Sequence, residues 1–125
     1  MKKSGEDSMK CDEVVKLFSS DNILNIDLSI GNLFEFKPTE DIIDLNIFNW
    51  GSYISNWVSY IDKQVLTLML EQPEPPYDID WGDILWANAT TPQIKDTSIR
   101  YVIMIYSEDK GITKYAYIVN IVKED

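Results

Sequence analysis

The stretch from Ile99 to Val122, IRYVIMIYSEDKGITKYAYIVNIV, decides the fold. Two runs rich in Ile, Val and Tyr, residues 99–106 and 112–122, flank the turn Ser107-Glu108-Asp109-Lys110-Gly111. β-Branched and aromatic residues favour a pleated, half-buried surface, and Gly111 can take the positive φ that a tight turn needs. The reading is a long antiparallel hairpin that ties the carboxyl end into a sheet.

Working back from the hairpin, residues 90–98 are a polar loop, and Ile84-Leu85-Trp86 is a further strand. Tyr77, Ile79 and Trp81 alternate with Asp78 and Asp80, the period of a strand with one buried face. Trp81 and Trp86 are expected in the core. Glu71-Gln72-Pro73-Glu74-Pro75-Pro76 breaks any regular element, because proline removes backbone donors and fixes φ. In residues 52–70 the stripe Ile54, Val58, Ile61, Val65, Leu68 follows helical spacing behind a Ser52 cap. That predicts a helix to about Lys63, with residues 64–70 open between helix and strand. Nearer the amino end, Val14, Val15, Leu17 and Phe18 fit a short helix capped by Asp12. Leu24 to Ile30 and Leu33 to Lys37 alternate around Gly31-Asn32, a two-residue hairpin signal, and Thr39 can cap a helical turn through Leu45. The fold class expected is therefore α+β: one domain over residues 11–125, an antiparallel sheet with the carboxyl-terminal β-hairpin packed against two or three helices. Residues 1–10 are a flexible segment, in which Met9 is an alternative start.

The chain has 125 residues, 45% hydrophobic and 12% aromatic, enough for one core. It carries 21 acids, 11 bases and a net charge of −10, with Arg100 the only arginine. Binding to nucleic acid or anionic lipid draws on clustered Lys and Arg, so neither is an expected direct partner. A single cysteine, Cys11, leaves no intramolecular disulfide. No apolar run approaches a membrane span, and a cytoplasmic location is expected.

Chemistry is sparse. There is no histidine, the usual general base at neutral pH and a common metal ligand. The five glycines are scattered, so no phosphate-binding loop forms. Asp78-x-Asp80-x-x-Asp83 departs from the calcium-loop pattern, which would need a glycine at Asp83 and a glutamate at Ala89. No enzyme, cofactor or metal is expected.

The acidity is uneven: residues 1–37 carry a net −2, residues 38–94 a net −8 and residues 95–125 none. Glu71, Glu74, Asp78, Asp80 and Asp83 crowd beside Tyr77 and Trp81 on the proline-rich stretch. One reading is a solvated face that confers solubility. The other is a partner-binding surface of Glu71, Glu74, Tyr77, Asp78, Asp80 and Asp83 that meets a basic protein. With this cluster and its low arginine content, the small acidic chain resembles bacterial toxin-immunity proteins of the contact-dependent inhibition and polymorphic toxin type. The resemblance implies a protein inhibitor that blocks a nuclease-type toxin. A phage or mobile-element DNA mimic directed at a host nuclease, and a non-catalytic assembly module, are the alternatives.

Overall fold

The structure, a computed structural model, describes residues 13–51, 64–87 and 90–122. The amino-terminal segment and the helix expected from Ser52 lie outside them. The described residues form eight strands in order: β1 Val15–Leu17, β2 Ile23–Asp27, β3 Leu33–Phe36, β4 Asp44–Phe48, β5 Gln64–Leu70, β6 Leu85–Trp86, β7 Ile99–Ser107 and β8 Tyr115–Val122. No helix occurs among the described residues. The α+β expectation is thereby corrected to a mixed-sheet, all-strand architecture.

One sheet has six strands in the order β1-β3-β5-β7-β8-β6, and a second has β2 beside β4. The carboxyl-terminal hairpin is the part read correctly: β7 pairs antiparallel with β8 from Ile99↔Val122 to Tyr106↔Tyr115. β5 joins it antiparallel, which resolves residues 64–70 as strand. The amino-terminal half is built differently. The chain alternates between sheets, so that β1, β3 and β5 lie parallel in one and β2 and β4 parallel in the other. Parallel strands need a crossover, usually a helix. Here the described part of each crossover is itself a strand of the facing sheet. Val15 thus lies beside Phe34, and Ile23 beside Asp44, one coil of about twenty residues further on, the short repeat of a solenoid.

The corners explain the misreadings. The two-residue turn falls at Asp21 and Asn22, whose φ values of 56° and 65° are both positive, between Ser20 and Ile23 bonded to each other in both directions at 3.0 Å. Positive φ at both central residues is the type I′ requirement. Gly31, read as a hairpin turn, has no such φ; its missing Cβ would stand 3.1 Å from Val15 Cγ2, so its use is close approach between coils. Leu24–Ile30 and Leu33–Lys37 consequently belong to different sheets. At the amino end Val15 and Leu17 face inward while Val14 and Phe18 are exposed, Phe18 by 83%, a period of two where four apolar residues had mimicked a helix. The turn expected after Thr39 is an extended bridge at Ile42 leading into β4.

The inner face of the large sheet and β2 share one core. Across it run Leu17, Phe36, Leu70 and Tyr101 in one row and Phe34, Leu68 and Ile103 in the next, facing Leu24, Ile26 and Leu28. The opposite face is apolar too. Val65, Leu85, Tyr115, Tyr117 and Val119 are exposed there, and the Tyr106 and Tyr115 rings stack at 5.3 Å. The β7–β8 turn closes on Asp109, which accepts from Thr113 N–H and Ser107 Oγ–H at 2.8 Å each, and on Gly111 at φ 91°, packed under Trp50. A Cβ on Gly111 would lie 2.4 Å from the indole. Gly111→Ala is therefore expected to destabilise by about 2–3 kcal/mol, backbone strain and overpacking together, read as a lower urea midpoint with an unchanged slope.

Asp27 accepts bonds from Asn49 Nδ2–H, Ser29 Oγ–H and Ser29 N–H at 2.8, 2.7 and 2.9 Å. They hold its carboxyl below the ordinary value, Asn49 contributing most, and Thr113 N–H does the same foremost for Asp109. A folded-state pKa below the unfolded one adds stability above the unfolded value and loses it as pH falls through the folded value. Denaturation midpoints should accordingly drop below about pH 4, and Asp27→Asn should flatten that slope in a urea titration repeated across acidic pH.

Candidate functional site

The acidic stretch is held in place by a buried amide. Gln72 is 3% exposed; its Nε2 donates to Tyr77 O and Ile94 O at 2.8 Å each, and its Oε1 accepts from Tyr77 N–H at 3.0 Å. One side chain thus closes the proline-rich loop at its base and fastens it to the 90–98 loop. A second tie comes from Ile42, bridged in parallel to Ile79, while Asp78 N–H donates to Asp41 Oδ1 at 2.8 Å. Trp81 and Trp86 anchor the far end in the core as expected, the two indoles edge to face at 5.4 Å, and Ile84 is buried beside them. Trp86 Nε1 is buried with no hydrogen-bond partner among the described residues.

The six candidate residues do not form one bare acidic face. Glu71 is largely buried, its side chain 16% exposed and its carboxylate bonded to Arg100 Nε–H at 2.6 Å. Asp78 pairs with Lys95, and Asp83 with Lys114 at 3.1 Å. The three bases all come from residues 95–125, so the charge-neutral end of the chain lends its cations to the acidic middle. Glu74 accepts from Thr97 Oγ1–H at 3.2 Å, and Asp80 from Gly82 N–H at 2.9 Å; neither is ion-paired among the described residues. Tyr77 is half-buried and held through its backbone. Asp78 keeps 73% exposure despite its pair.

The site therefore contracts around Glu74, Asp78 and Asp80, and gains Asp41. Sequence reasoning missed Asp41, which comes from a different coil, and Gln72, which sits unremarkably before a proline. Among the described residues no three His, Cys, Asp or Glu side chains converge to hold a metal, and no helix is long and apolar enough to cross a membrane.

Below this edge an open cleft runs between β4 and residues 81–84, lined by Asn46, Phe48, Trp81, Asp83 and Lys114 among others. Asn46 Nδ2–H donates to Asn25 Oδ1 at 3.1 Å on one wall, an amide rung between successive coils. No family model, curated protein or solved structure matches the chain.

Proposed function

We propose that this protein works by binding and neutralising a basic protein partner, as an immunity protein that covers the basic site of a nuclease-type bacterial toxin in the cytoplasm. The observation that supports the reading is the fixing of the acidic edge. Asp41, Asp78 and Asp80 ride on two backbone segments bonded to each other, and the Gln72 amide braces the loop that carries Glu74. Groups held in place before docking lose little entropy when a partner arrives. The chain's net −10 steers a basic partner toward it. Proteins alone, and no catalytic step, are needed for this role.

The test is co-expression with the product of the gene immediately upstream, the position at which the toxin of an immunity protein is encoded. Reversal of Glu74, Asp78 and Asp80 to Lys sets like charges against a basic surface, a cost of several kcal/mol. Protection should be lost and the association rate should lose its fall with salt. Folding should be kept, since exposed charges contribute within about 0.5 kcal/mol each and surface pairs at most about 1 kcal/mol. The matched control is Glu108→Lys at the exposed hairpin tip; Asp109 is unsuited because the turn is built on it. If the triple reversal protects as well as the parent, with unchanged salt dependence, the edge is only a solvated surface.

A further inference from the structure

Among the described residues the second sheet has no strand opposite β5. Three coils contribute β1, β3 and β5 to the large sheet, and among the described residues β2 and β4 alone stand opposite them. A third position is begun and abandoned: Ile42 N–H donates to Asp78 O at 2.8 Å and Asp80 N–H to Ile42 O at 2.9 Å. Gly82 N–H then turns back to Asp80 Oδ1, with Gly82 at φ 68°. There the chain leaves β4.

In a parallel pair a residue's N–H and C=O point the same way, and successive residues alternate. Leu28 N–H donates to Phe48 O at 3.0 Å, so in the observed register Asp44, Asn46 and Phe48 address β2. Leu45 and Ile47 address the other side, where Trp50 Nε1–H reaches Ile47 O at 3.1 Å. The N–H and C=O of Leu45 and the N–H of Ile47 have no partner among the described residues. They open onto the cleft of about 470 Å³ whose far wall is Trp81 to Ile84 with Lys114. Donor, acceptor and donor at strand spacing are the complement of an extended peptide, and unpaired edges recruit strands. The flanking charge is acidic. Asp83 and Lys114 pair with each other across the far wall, Lys114 Nζ also reaching Gly111 O at 3.2 Å, and so offset one another; the excess acid is Asp44, exposed on the strand itself and ion-paired with no base among the described residues.

We propose that the open edge of β4 is a docking site for an extended, basic segment of the partner polypeptide, which pairs with Leu45 and Ile47 and completes the second sheet. This rests on the reading of a basic protein partner and adds how that partner is held. Amide hydrogen exchange on the whole chain tests it with a capped hexapeptide of alternating lysine and valine as probe. In the free protein the Leu45 and Ile47 amides should exchange about tenfold or more faster than those of Asn46 and Phe48. The hexapeptide, at about millimolar concentration, should slow them by about tenfold. The same peptide N-methylated at every residue should not, and an alternating serine–valine hexapeptide should do so less. Leu45 and Ile47 amides already as slow as that of Asn46 would mean that another part of this chain fills the edge, which overturns the proposal. So would no slowing by the lysine–valine peptide. Equal slowing by the methylated peptide removes strand docking but leaves a basic partner standing; equal slowing by the serine–valine peptide removes the basic preference but leaves strand docking.

Discussion

A Gln72→Leu variant is expected to lose about 3–5 kcal/mol of folding stability, because leucine fills the space and supplies none of the bonds. Tyr77 N–H, Tyr77 O and Ile94 O would be left behind, and each unsatisfied buried group costs about 1–3 kcal/mol, partly relieved where water enters. Against a typical total of about 5–15 kcal/mol this is a large fraction. Urea denaturation followed by tryptophan fluorescence measures it, and a loss below about 1 kcal/mol would refute the bracing role. The defect should also reach the proposed function, since a freed 73–80 loop has to be ordered again by the partner. Pro73→Ala is the comparison: the residue is half-buried and donates no hydrogen bond, so its effect on stability should be much smaller.

Phe34→Ala should cost a similar amount, about 3–5 kcal/mol, the range for deleting a buried aromatic ring. Phe34 is fully buried on the middle coil, with Val15 of the coil before on one side and Leu68 of the coil after on the other. No single neighbour can close the gap without moving a strand of the sheet. For a chain of this size that loss lowers the melting temperature by about 10–20 °C. Phe18→Ala, at a ring 83% exposed, should change it by little. Near-equal melting temperatures for the two variants would mean that the coils do not stack as described.

The contrast between these phenylalanines shows what could be read from the chain alone. Both sit in short apolar runs, and nothing local says which faces inward. The β7–β8 pairing was legible because an antiparallel pair needs only a nearby turn and two β-rich flanks. The coiled half was not, because its register joins residues far apart in sequence, such as Val15 with Phe34 and Phe34 with Leu68, and its corners resemble hairpin turns. Gly31-Asn32 carries the stronger turn signature, yet Asp21-Asn22 makes the turn, since what reserves Gly31 is the approach of Val15, which is invisible without the fold. The candidate site divides in the same way. The exposed acids Glu74, Asp78 and Asp80 were found by composition. Pairing of Glu71, Asp78 and Asp83 with Arg100, Lys95 and Lys114 could not be, because composition counts charges without saying which of them meet.

The apolar outer face of the large sheet gives the acidity a second use, one that concerns the behaviour of many copies together. Val65, Leu85, Tyr115, Tyr117 and Val119 lie exposed on one surface, the kind of patch through which identical molecules adhere. With a net charge of −10 each copy repels the next before these faces meet. The protection is colloidal: added salt shortens its reach, and near the isoelectric point of about 4.3 it vanishes. Acidic residues far from the proposed binding edge should thus oppose self-association, and substitutions that trim their number are expected to surface first as turbidity.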